Sequence, residues 1–160
     1  MTEIPQLKDF MRAKGRAGNK KRGDEFEALI VSELQKLGFQ VHLAVPSIKK
    51  YWDRKTGARG FVTKSADLWG CIDVVAFHPR ADFTLFIQAT TDREMLKRKQ
   101  KDVSGTFTTY RPSRRLEIWT LDKGVPLMSE LMVWRQTVSG WYMLRWNLYL
   151  EGLRLTLDNG

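Results

Sequence analysis

The sequence predicts an α/β fold, a central mixed β-sheet flanked by helices, and three observations predict it. Residues 23–37 carry Phe26, Leu29, Ile30, Val31, Leu34 and Leu37 at helical spacing. Short runs rich in β-branched and aromatic residues follow, among them "CIDVVAF", "FTLFIQAT" and "LEIWTL". Helical and strand-like segments alternate along the chain, the pattern of a sheet with helices packed on it. At 160 residues the chain fits one domain with a substantial core.

Taken in order, residues 1–22 include "MRAKGRAGNKKR", which is Gly-rich, basic and poor in apolar side chains. They read as a flexible basic arm ahead of a domain spanning 23–160. The first helix is expected to open at Gly23 and to stop at Gly38. "FQVHLAV" reads as a strand ended by Pro46. Residues 48–66 are polar and basic, contain Gly57 and Gly60, and read as a long loop or loose hairpin inserted in the domain. "CIDVVAF" and "FTLFIQAT" are strands joined by the turn "HPRAD". A helix should follow Thr91, because Thr91 and Glu94 have the Thr-x-x-Glu spacing of a capping box. "LEIWTL" is a strand, and "LMVWRQTV" and "WYMLRWNLYL" flank Ser139-Gly140, a hairpin signal. "LRLTL" is a final strand or a tail. Both faces of "WYMLRWNLYL" are apolar, so one needs a cover, either a second copy of the chain or a helix of its own.

Composition excludes some classes of function. Cys71 is the single cysteine, so no internal disulfide forms, which fits a reducing compartment such as the cytoplasm, or a host cytoplasm for a viral protein. Two histidines and one cysteine argue against structural zinc. No apolar run reaches the roughly 18–20 residues of a membrane span, and "MTEIPQLKDF" lacks the pattern of a secretory signal.

The net charge of +9 and the pI of about 9.8 point to a polyanionic partner, nucleic acid ahead of membrane. The charge is clustered. Residues 1–22 hold seven Lys/Arg against two acids, 49–64 six against one, and 92–101 five against two, while "RPSRR" adds three arginines. A single such run is commonly a solvated face. Together, interleaved with Tyr51, Trp52 and Tyr110, they read as a phosphate-binding surface. Its candidate contacts are Lys20, Lys21, Arg22, Lys49, Lys50, Arg54, Lys55, Lys64, Arg93 and Arg98.

Polar side chains interrupt the apolar strands. Side chains alternate across a strand, so Asp73 shares a face with Val75 and Phe77, and Gln88 shares one with Thr84, Phe86 and Thr90. If the two strands pair, Asp73 and Gln88 lie side by side. A buried carboxylate without a partner costs several kcal/mol, so Asp73 needs a reason to be there. It is either an acid at a strand's wet start or part of a site. Asp24, Glu25 and Glu27 fall at the predicted helix opening, where the helix field favours acids. Glu27 alone borders the apolar stripe, three and four residues before Ile30 and Val31, so it is either an acid held by that field or a third polar group turned toward Asp73 and Gln88.

"GDEFEALIVSELQKLGFQV", "CIDVVAF" and "LFIQATT" together resemble the core of the PD-(D/E)xK nuclease superfamily, and within it the archaeal-type Holliday junction resolvases. Gly23 to Glu27 matches their Gly-x-x-x-Glu helix opening, Gly38-Phe39 matches the helix end, and Asp73-Val-Val-Ala76 matches the second strand. Gln88-Ala-Thr90 stands where the family has Glu-x-Lys. The resemblance covers about residues 22–100. It implies a restriction-endonuclease-like core and a metal-dependent, structure-selective endonuclease that resolves four-way DNA junctions by phosphodiester hydrolysis.

The resemblance further implies Mg²⁺, with Mn²⁺ as a substitute, held by Glu27, Asp73 and the Gln88 carbonyl oxygen. A glutamine ligand adds no charge, so the ion should bind more weakly. Thr90 cannot replace the motif lysine, and Lys97, Lys101 or Lys64 would have to reach the same space. Asp67, at the end of the insertion, is a further ligand or a loop acid paired with a base. Two opposed cuts imply a twofold homodimer. Two other readings stay open: a restriction- or repair-type endonuclease on the same core, and a DNA-binding module without catalysis.

Overall fold

In the computed structural model, which describes residues 15–44, 47–52, 54–64, 68–121 and 131–159, the first described element is the 22-residue helix α1 (Gly15–Lys36). α1 opens at Gly15, not at Gly23, so residues 15–22 are helical rather than an extended arm. Ala, Lys and Arg in that stretch are good helix formers, and extending an existing helix adds a hydrogen bond per residue. The rest of the predicted arm, 1–14, lies outside the described residues. The predicted stop is where it was expected. Gly38 takes φ +91°; its N–H bonds to Gln35 O at 3.0 Å and that of Phe39 to Leu34 O at 3.1 Å. This is the paired pattern of a Schellman cap, with Phe39 and Leu34 together in the core.

Six strands form the main sheet: β1 (Gln40–Leu43), β4 (Val74–Phe77), β5 (Thr84–Thr90), β6 (Arg114–Leu121), β7 (Leu131–Thr137) and β8 (Gly140–Arg145), adjacent in that order. Every neighbouring pair is antiparallel except β5–β6, which is parallel. Parallel neighbours need a crossover, supplied here by a 3₁₀ turn (Arg93–Met95) and helix α2 (Leu96–Thr106). The inserted segment is a hairpin of its own, β2 (Ser47–Trp52) against β3 (Arg59–Lys64), outside the main sheet. The sheet is therefore mixed and flanked by helices.

Alternation along the strands sorts the core into two layers. Phe26, Ile30 and Leu34 of α1 meet Val74, Leu85, Ile87, Trp119 and Val133 on one face. Leu96 and Val103 of α2 meet Ile72, Leu116 and Ile118 on the other. Burying one such aliphatic side chain is worth about 1.5–3 kcal/mol, so these two interfaces dominate the stability.

Two expectations need correction. The helix after β5 is not capped by a Thr91–Glu94 box. Asp92 is the N-cap of the 3₁₀ turn, and its Oδ1 accepts from Glu94 N at 3.0 Å. An aspartate two residues ahead of a free amide is an equally good cap. The C-terminal segment is neither one long strand nor a strand and tail: β8 ends at Arg145 and helix α3 (Trp146–Asn159) follows at once. Trp146, Tyr149, Leu153 and Leu157 of α3 join the α1 layer. The apolar excess that seemed to need a cover is thus a strand followed by the helix that covers the sheet. Among the described residues no helix is long and apolar enough to cross a membrane.

Candidate functional site: a buried carboxylate beside an amide

Asp73 stands in a bend just before β4, 6% exposed. Its backbone holds it to both neighbouring strands. Its N–H reaches Ile87 O at 2.9 Å, and its carbonyl accepts from Ala44 N at 2.8 Å. Its Oδ2 accepts two bonds from β5, from Gln88 Nε2 at 2.6 Å and from Ala89 N at 2.8 Å. The sequence expectation that Asp73 and Gln88 lie side by side is met. Gln88 is 3% exposed, and its Nε2 also donates to Ala89 O at 2.9 Å. Its Oε1 is buried and meets no hydrogen-bond partner among the described residues.

An orphaned amide oxygen inside a protein is costly, about 1–3 kcal/mol, and so calls for a function or an added ligand. The amide nitrogen, not the oxygen, faces the Asp73 carboxylate. A half-turn of the carboxamide would exchange its oxygen and nitrogen with almost no change of shape. Hard oxygen donors of this kind fit a magnesium ion, which fills the rest of its octahedron with water. Among the described residues no group of three His, Cys, Asp or Glu side chains is placed to hold a metal. A site here therefore depends on the amide as well as on acids.

Glu27 is part-buried on α1, next to the fully buried Phe26. Because α1 begins at Gly15, Glu27 is in mid-helix and gains nothing from the N-terminal field, which fades within the first turn. α1 packs on the face of β5 that carries Leu85 and Ile87, whereas Gln88 alternates with them onto the face of Phe86 and α2. Thr90 is buried, and its hydroxyl closes the turn after β5, donating to Asp92 O at 3.2 Å and accepting from Asp92 N at 3.3 Å. Its role there is structural.

Lys97 and Lys101 are both exposed on α2. The stripe of α2 turned to the sheet runs Leu96, Lys99, Gln100, Val103, and Lys99 and Gln100 are part-buried. Helical spacing makes Lys99 the lysine of α2 best placed toward the sheet. Among the predicted phosphate contacts, Arg54 and Lys55 are exposed in the β2–β3 turn, and Arg93 and Arg98 are exposed around the start of α2. Lys20, Lys21 and Arg22 stand on α1, Lys49 and Lys50 on β2, and Lys64 at the end of β3. Asp67 lies outside the described residues.

A second buried carboxylate, Glu117 on β6, has no solvent exposure. Three donors meet it: Tyr149 OH at 2.5 Å, Trp119 Nε1 at 3.1 Å and Arg135 Nε at 3.1 Å. Burial alone would lower the Arg135 pKa, but the attraction of Glu117, Tyr149 and Tyr142 raises it on balance. Burial first, then the charge and hydrogen bond of Glu117, push the Tyr149 phenol well above its ordinary value. Arg115 lies 3.5 Å from the centre of the Phe83 ring and is lowered by burial and by the like charge of Arg135. The signal for Glu117 was present in the sequence: an acid alternating with apolar residues in "LEIWTL", the same pattern that marks Asp73.

No protein-family model, curated protein or solved structure matches this chain.

Proposed function

We propose that the chain is a metal-dependent endonuclease that cuts branched DNA, on a restriction-endonuclease-like core, with Asp73, Gln88 and Glu27 as its oxygen donors. The observation that carries this reading is the contact between Asp73 and Gln88 on adjacent buried strands, with the Gln88 oxygen left over. The element order supports it, since helix, strand, strand, strand and helix follow one another as the family resemblance implies, with the β2–β3 hairpin inserted. The +9 charge supports a phosphate-bearing substrate recognised mainly through its backbone, with steep salt dependence.

Asp73 would supply charge, and its two bonds from β5 fix its orientation. Gln88 would supply a neutral oxygen, and Glu27 a second carboxylate from α1. When bound, Mg²⁺ would lower the pKa of a water and stabilise charge on the phosphate as the bond breaks. The exposed lysines and arginines of α2 would hold the DNA against the sheet. Two symmetric cuts across a four-way junction would call for a twofold homodimer.

The test is a labelled four-way junction incubated with Mg²⁺ and either the wild-type protein or Asp73→Ala. Cleavage at the branch point by the wild type, reduced about a hundredfold or more in Asp73→Ala, is the expected result. Cleavage of linear duplex at a fixed sequence would favour a restriction-type enzyme instead. One observation favours a binding module without catalysis: Gln88 and Thr90 are both engaged in hydrogen bonds within the fold. Tight junction binding with no cleavage in Mg²⁺ or Mn²⁺ would select that reading.

A further inference from the structure

Four residues before Asp73, the chain makes a tight turn. Leu68 and Ile72 pair as an isolated bridge, with Leu68 N to Ile72 O at 2.7 Å and Ile72 N to Leu68 O at 2.9 Å. Cys71 N reaches Leu68 O at 3.2 Å, so Trp69 and Gly70 are the central residues of the turn. Both have positive φ, +54° and +76°. Turns of this kind favour Asn-Gly or Asp-Gly, and glycine suits the second position. At the first position Trp69 is the only described residue other than glycine with positive φ, and its side chain is 59% exposed. A tryptophan is a poor choice for this backbone and for this exposure.

The indole has company. It lies 5.5 Å from the Phe86 ring and 5.8 Å from the Phe107 ring, and those two rings are 5.9 Å apart. The Arg114 guanidinium sits 4.7 Å over Phe107. Arg114 donates through Nη2 to Thr109 O at 2.6 Å, while its Nε is buried with no acceptor among the described residues. Phe86 is two positions before Gln88 on β5, so the rings and the candidate site share a strand face about 7 Å apart along the chain. Aromatic rings, a guanidinium beside them and the proposed phosphate-cutting site nearby together match one ligand, a nucleotide whose base has left the helix stack.

We propose that Trp69, backed by Phe86 and Phe107, is a stacking platform for an unpaired base at a DNA branch point, and that Arg114 takes the adjoining phosphate. The proposal rests on the DNA reading above but not on catalysis. It gives that reading a source of selectivity, because a continuous duplex offers no exposed base face.

The test is binding in EDTA, so that cleavage plays no part. The probes are a four-way junction with 2-aminopurine at the branch point and a linear duplex of the same length, measured by anisotropy and 2-aminopurine fluorescence. Trp69→Asn removes the ring and places at that backbone a residue that suits it, so its melting temperature should stay close to that of the wild type. The expected result is about tenfold weaker junction binding, unchanged duplex binding and loss of the 2-aminopurine quench. Trp69→Phe should retain most of the quench. Equal weakening on both probes, or none on either, overturns the platform. A protein that binds with this selectivity and never cuts DNA overturns the nuclease reading and leaves the platform standing.

Discussion

Glu117 and Asp73 are both acids buried in one sheet, but they are built into it differently. Glu117 takes donors from three elements, Trp119 on its own strand, Arg135 on β7 and Tyr149 on α3, and those donors complement its oxygens. Asp73 takes two bonds from β5, and the amide that gives one of them has an oxygen buried without a donor among the described residues. A fully satisfied polar cluster fixes a core, whereas one with capacity left over is where a ligand belongs. The contrast is between a carboxylate met by three donors and an amide oxygen, beside the other carboxylate, met by none among the described residues.

The largest expected effect tests the structural half. Glu117→Ala leaves the Arg135 guanidinium, the Tyr149 hydroxyl and the Trp119 N–H without their acceptor. It should cost about 3–5 kcal/mol in urea denaturation. A loss below about 1 kcal/mol would erase the distinction between the two sites.

Next comes Gln88→Glu, which puts a carboxylate in place of the amide. It places a second carboxylate where an N–H now donates to Asp73, so in EDTA the fold should lose about 1–3 kcal/mol. The deficit should shrink as the pH falls, because a proton shared by the pair replaces the lost donor. It should also shrink on adding Mg²⁺. A variant as stable as the wild type in EDTA and indifferent to Mg²⁺ would mean that this position is not a cation site.

Tyr149→Phe should have the smallest effect near neutrality, about 1 kcal/mol, because Glu117 keeps two donors. Its signature is in alkali. The folded protein holds the Tyr149 phenol protonated above the pH at which the unfolded chain releases that proton. The stability this gives is complete below about pH 10 and is lost as the pH rises through the folded value. Denaturation midpoints from pH 8 to pH 11 should therefore fall more steeply for the wild type than for Tyr149→Phe.

Much of the sheet was legible in the sequence, because β-strands announce themselves by period-two alternation and short length. The segments around Val74–Phe77, Thr84–Thr90 and Arg114–Leu121 follow from that pattern; the hairpin turn was expected at Ser139-Gly140 and falls one residue earlier, at Val138–Ser139, with Gly140 already paired to Thr137. The pairing of Asp73 with Gln88 was legible too, since alternation and a short connection put them side by side. The final helix was not legible by the same rule. β8 passes into α3 with no glycine or proline between Arg145 and Trp146, so one apolar run hides two periods. The spacing of Trp146, Tyr149, Leu153 and Leu157 is helical and could have divided it. The start of α1 was missed because glycines marked residues 15–23 as irregular, while neighbouring lysines, arginines and alanine sustain a helix. Trp69 carries no periodic signal; only its backbone angle and exposure single it out.

The Glu117 cluster also dictates an order of events during synthesis. Tyr149 lies 32 residues downstream of Glu117, and Arg135 lies 18 downstream. On a ribosome, β6 emerges with only Trp119 of the three donors beside its carboxylate, which stays in water until β7 and then α3 arrive. Closing the second half of the sheet is thus tied to completion of the last helix, and a nascent chain stalled before it would present an open, water-seeking edge for quality-control factors to detect.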